Sequence, residues 1–160
     1  AKDPSAGPAA QVQSIVRERT EISLKPEGER ADRLTITVAL QALRAGISIG
    51  GSPDAKGYGG ISLRLRDGSH MRFANAKGAI TPTVEMLSAE APVIMGWDKR
   101  RELSGVELSV SCTVDGKPIT SWVLRREQSM QNCAWPGREA VPLSMERPTI
   151  LSATIMLRRK

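Results

Sequence analysis

Apolar and polar residues alternate at period two along most of this chain, the pattern of strands with one buried face. Leu34, Ile36, Val38 and Leu40 alternate with Thr35, Thr37 and Gln41, and Ile22 and Leu24 continue a series begun at Val12, Ser14 and Val16. Ala45, Ile47 and Ile49 follow, until Gly50-Gly51-Ser52-Pro53-Asp54 stops the run. Further strands are predicted over 61–66, near 70–74, 82–87 and 91–96, over 106–123 and over 150–157. Short stretches at 39–45 and 128–134 admit a helical turn, but no segment sustains a 3.6-residue period. Nine or more short strands separated by Gly, Pro and Asp turns predict an all-β chain, an antiparallel β-sandwich.

Two hairpins matter most. Asp115-Gly116 is a preferred type I′ pair, predicting that Cys112 faces Ile119, Val110 faces Ser121 and Leu108 faces Val123. That register leaves Trp122 and Leu124 on the opposite face, which then needs cover. Asp67-Gly68 lies between Ile61-Ser62-Leu63-Arg64-Leu65-Arg66 and Met71-Arg72-Phe73. If those segments pair, Arg64, Arg66, His70 and Arg72 share one face. Like charges across a strand pair are unfavourable, so carboxylates, solvent or an anionic ligand must compensate them.

Composition narrows the choices. At 160 residues the chain fits one domain, 11–160, after a disordered lead-in over 1–10. No apolar run is long enough for a membrane helix. The net charge of +6 suggests nucleic acid, but the basic residues are scattered and only five aromatics are present, which argues against stacked bases. Cys112 and Cys133, with His70 the one histidine, cannot make a zinc site. Cys112 continues the apolar series Val106, Leu108, Val110 and so reads as a buried free thiol, with a disulfide to Cys133 the alternative in an exported protein. Export is slightly favoured over the cytoplasm. No motif implies a metal or cofactor.

Chemistry must come from few groups. His70 and Asp98 are the candidate catalytic residues, although no nucleophile elbow accompanies them and Asp98 borders the charge run Lys99-Arg100-Arg101. Gly57-Tyr58-Gly59-Gly60 precedes a strand rather than a helix, so a phosphate-loop reading fails. Arg64 and Arg66 could grip carboxylates or vicinal oxygens as bidentate guanidinium groups. Structural burial is the default for each tryptophan, and Trp97 and Trp135 are the ones that could instead pack on a sugar ring.

Gly57-Tyr58-Gly59-Gly60-Ile61-Ser62-Leu63-Arg64 resembles the GYGG-x-x-x-R signature of PmoA-like proteins, bacterial proteins often carried in carbohydrate-utilisation loci. Trp97-Asp98 with Ser104-Gly105-Val106, and Trp122 with Arg125 and Asn132–Pro136, are similar to later blocks of that family. The resemblance implies a sandwich of the galactose-mutarotase type, of which this chain matches the C-terminal half. A lone half implies exposed sheet edges, hence a homo-oligomer or a partner chain.

The leading expectation is therefore a domain that binds or helps process a saccharide or acidic sugar, using Arg64, Trp97, Asp98 and Arg125, the first three meeting in one concave site. Tyr58, Arg66 and Trp135 complete the candidate ligand set. A noncatalytic assembly subunit that uses exposed sheet faces is the alternative. Nonspecific polyanion binding is a third reading.

Overall fold

The alternating segments form fourteen strands among the described residues of a computed structural model, which covers 13–51, 54, 56–98, 103–127 and 129–159. In chain order they are β1 Val16–Pro26, β2 Ala31–Ala42, β3 Ser48–Ile49, β4 Ile61–Leu63, β5 Met71–Asn75, β6 Gly78–Ile80 and β7 Leu87–Ser88. There follow β8 Val93–Trp97, β9 Val106–Val114, β10 Lys117–Pro118, β11 Ser121–Arg125, β12 Met130–Cys133, β13 Val141–Pro142 and β14 Thr149–Arg159. The lead-in at 1–10 and the charge run at 99–102 lie outside the described residues.

One large antiparallel sheet has the order β1-β2-β14-β9-β8-β5-β6, with β10 beside β9. A smaller sheet, β4-β12-β11-β7, packs on it, and β13 pairs with β3. The chain is thus all-β, with antiparallel sheets packed together as the alternation requires. In the large sheet's inner face, Leu34, Ile155, Val110 and Val93 stand side by side on four neighbouring strands. Ile36, Ala153 and Cys112 form the next row. The outer face carries hydroxyls instead, with Ser23, Thr35, Thr154 and Ser111 aligned across β1, β2, β14 and β9.

The 39–45 stretch and the described residues 129–134 are not helical: they belong largely to β2 and β12. The one helical feature among the described residues is a 3-10 turn at Gly68–His70.

The 106–123 hairpin is only half right. Asp115 and Gly116 both take positive φ, as a type I′ pair must, and Ile119 N–H donates to the Cys112 carbonyl at 2.9 Å. Beyond Ile119 the chain leaves β9 and enters the smaller sheet as β11. Val110 therefore faces Val93 and Ile155, not Ser121. This switch solves the cover problem at Trp122 and Leu124, whose side chains face the large sheet and are wholly buried.

Cys112 on β9 and Cys133 on β12 form a disulfide between the two sheets, Cα atoms 6.3 Å apart, so neither is a free thiol. Trp122 stands directly opposite Cys133, in the same core cluster.

The 61–74 hairpin does not exist. β4 pairs with β12 in the smaller sheet, whereas β5 pairs with β6 and β8 in the large one. The 3-10 turn carries the chain between layers, and Asp67 before it adopts φ 55. Apolar Leu63 and Phe73 still reach a common core, but from opposite sides of it.

Candidate functional site

Separating β4 from β5 divides the expected basic face in two. On the β5 side, Arg72 lies over Gly96, where a Cβ atom would stand 2.8 Å from its guanidinium. Glycine there lets the side chain run across β8 toward Asp98 at 3.4 Å and Glu107 at 4.0 Å. Neighbouring carboxylates thus compensate Arg72, as a basic strand face requires. Trp97 is buried, and its indole N–H donates to the Arg66 carbonyl at 2.9 Å. The Asp98 N–H donates to the His70 carbonyl at 2.9 Å, and the His70 ring, exposed, lies 3.1 Å from the Ser69 hydroxyl. A hollow of about 510 Å³ here is lined by Arg72, Trp97, Asp98 and Glu107 among others. Its one arginine is compensated by two carboxylates and its tryptophan holds backbone, which is how a structural ion-pair cluster behaves.

On the other side, Ser62 on β4, Asn132 on β12 and Val123 on β11 align on the outer face of the smaller sheet. One step further along that face are Arg125 and its neighbour Met130. Arg64, two residues after Ser62, lines the same hollow as Arg125 and Met130, about 300 Å³ in volume. Tyr58 completes it. The Tyr58 ring lies under the Arg125 guanidinium, 5.3 Å from its centroid, and Lys56 Nζ is 5.9 Å from the same centroid. Arg125 Nε, at 3.1 Å, and Nη2 both donate to the Val84 carbonyl, which fixes the plane of the guanidinium. A second hollow of about 470 Å³ adjoins through Arg125, lined by Lys56, Pro82, Thr83, Val84, Leu124, Arg126 and Glu127.

The glycines explain how Tyr58 comes to lie there. Gly57, Gly59 and Gly60 have φ of 54°, 146° and 80°, conformations that side chains oppose. A Cβ on Gly59 would stand 2.7 Å from the Trp135 carbonyl oxygen, and one on Gly60 2.2 Å from that of Cys133. The segment therefore lies backbone to backbone against 133–135. Buried Asn132 clamps it, donating from Nδ2 to the Gly59 carbonyl at 2.7 Å and the Ile61 carbonyl at 3.1 Å. The glycine motif is a packing device that presents Tyr58.

The candidate residues thus fall into three places. Tyr58, Arg64 and Arg125 converge, whereas Trp97 and Asp98 line the Arg72 hollow, with the Arg66 carbonyl behind the Trp97 indole N–H. Trp135 lines a third hollow with Asp115, Lys117, Val141 and Arg147. The single concavity expected for Arg64, Trp97 and Asp98 is not formed, because their strands belong to different layers. Lys56, Arg126 and Met130 escaped the sequence reading. Lys56 could have been found from its place beside the glycine motif, and Arg126 from its place beside Arg125. Met130 gives no sequence signal.

Among the described residues, no group of three or more His, Cys, Asp or Glu side chains could hold a metal ion. No helix among them is long and apolar enough to cross a membrane. Comparison with protein-family models, with curated proteins and with solved structures finds no match to this chain.

Proposed function

We propose that this chain binds a saccharide bearing carboxylate or sulfate groups on the outer face of the smaller sheet. The observation that carries the reading is the stacked Lys56–Tyr58–Arg125 group beside Arg64, between two adjoining hollows. An aromatic face suits the apolar side of a sugar ring, and guanidinium forks suit its anionic substituents. Arg64 and Arg125 are the anion-binding residues, and Tyr58 is the platform. The likeness of residues 57–64 to the PmoA-like signature points to the same ligand class. The disulfide between the sheets fits an exported protein, since such bonds persist in oxidising compartments.

Calorimetry with acidic oligosaccharides, such as polygalacturonate or heparin fragments, against neutral ones of equal length tests this. Saturable binding of an acidic ligand is expected, with Arg125→Ala weakening it about 30-fold, roughly 2 kcal/mol. Arg125→Lys should recover only part of that loss, because the point charge lacks the fork. Equal failure of acidic and neutral ligands removes the proposal.

A noncatalytic assembly role is favoured by a separate observation, the exposure of Ile22 and Leu24 on the outermost strand of the large sheet. Light scattering that shows a strict monomer would remove that second reading.

A further inference from the structure

Among the described residues β1 is a free edge of the large sheet, and its inner face carries Val16, Ile22 and Leu24 beside Glu18 and Thr20. β1 has eleven residues and, among the described residues, only one neighbouring strand, β2. The row Leu24, Leu34, Ile155, Val110, Val93 crosses the inner face of the sheet. Exposure along it falls from 69% at Leu24 to 6% at Ile155 and 0% at Val93. Ile22, also 69% exposed, begins the adjacent row through Ile36 and Ala153 to Cys112. The inner face therefore continues past the smaller sheet that covers it.

The edge is also ready to pair. Glu27 N–H donates to the Ala31 carbonyl at 2.7 Å, and Leu43 N–H donates to the Ile15 carbonyl at 2.8 Å. Odd-numbered residues of β1 thus bond to β2, and alternation turns the backbone groups of Glu18, Thr20, Ile22 and Leu24 outward. Pro26, which has no N–H, falls among these outward positions, where it disturbs no bond to β2.

We propose that a second copy of this chain docks here, β1 against β1, antiparallel about a two-fold axis at Ser23. The proposal rests on the assembly reading and goes beyond it by naming the partner and the register. Self-complementarity selects both. In this register Ile22 faces Leu24 of the second copy, and Glu21 faces Lys25 of the second copy, each contact occurring twice. Lys25 gains a counter-charge by this docking: within the chain it faces Arg33, and among the described residues no carboxylate pairs with it. Centring on Thr20 instead sets Glu18 against Ile22 and leaves Lys25 unmatched. The docked copies form one continuous sheet, joined by about six backbone hydrogen bonds.

Light scattering across a concentration series, combined with cysteine cross-linking, tests this. The chain should be dimeric, and Ser23→Cys should link spontaneously to its symmetry mate on a nonreducing gel, while Thr20→Cys should not. Lys25→Glu should dissociate the dimer by setting acid against acid, and adding Glu21→Lys should restore it. Both positions are exposed, so neither change threatens folding. A monomer at every concentration overturns the proposal together with the assembly reading. A dimer linked through Thr20→Cys, or indifferent to Lys25→Glu, overturns this register and leaves assembly standing. Saccharide binding is read separately and survives either result.

Discussion

Gly59 and Gly60 decide where the aromatic platform lies, and they do so by having no side chain. Alanine at 60 must accept φ 80 and a contact of 2.2 Å with the Cys133 carbonyl, which backbone cannot easily relieve. Gly60→Ala is therefore expected to lower stability by roughly 2–3 kcal/mol in denaturant unfolding. Asn132 works on the same segment from beneath. Asn132→Ala removes the donors that hold the Gly59 and Ile61 carbonyls, and should cost about 2 kcal/mol. Because that clamp presents Tyr58, the variant should also lose ligand affinity at temperatures where it remains folded. Unchanged affinity in folded Asn132→Ala protein would show that the loop keeps its shape without the clamp.

At the scale of elements, the disulfide and the layer switches define the arrangement. Cys112 and Cys133 are both buried and tie β9 to β12 across the sandwich, closing a loop with a sequence separation of 21. Loop-closure entropy puts the stabilisation at about 3 kcal/mol. Unfolding in urea with and without reductant should show a midpoint lowered to match, and a Cys112→Ala/Cys133→Ala variant should behave like the reduced protein. An unchanged midpoint would place the stability elsewhere in the core.

Most strands were legible in this chain, although the one expected near 82–87 is absent apart from Leu87 and that over 61–66 ends at Leu63, and strand partnership was not legible. Asp115-Gly116 announces its hairpin because only a few residue pairs accept two positive φ values in succession. The departure of the chain at Ile119–Thr120 leaves no such mark, since Trp122 and Leu124 alternate equally well in either sheet. The Asp67–His70 turn misled for the same reason: a two-layer fold can place consecutive strands in opposite sheets without changing their alternation. The outward aim of Arg64 was legible from its parity with Ser62, while its company, Tyr58 and Arg125, depends on a pairing between β11 and β12 that sequence alone does not specify.

Over the whole molecule, charge and exposure are divided among separate surfaces. Arg72 is matched by Asp98 and Glu107 on one side, while Lys56, Arg64 and Arg125 gather on the outer face of the smaller sheet, and Arg126 turns toward the large sheet, its Nε donating to the Met71 carbonyl at 2.7 Å. The free β1 edge lies on the large sheet and carries neither set. Binding at the basic face should weaken as salt rises, because its charges are solvent-exposed and screened over about 10 Å at moderate ionic strength. Arg72→Ala should leave that binding unchanged while destabilising the Asp98 hollow modestly, by about 1 kcal/mol or less, since Arg72 and Asp98 are both about half exposed and Glu107 is 4.0 Å away.

Tyr58 is the chain's one tyrosine, so its ring signals in a proton NMR spectrum belong to one known place. Titration with an acidic oligosaccharide is expected to shift those signals saturably, with the Trp97 indole unmoved and the response abolished in Arg125→Ala. Tyr58 signals that stay fixed while the Trp97 or Trp135 indole responds would contradict the assignment of the ligand to this face.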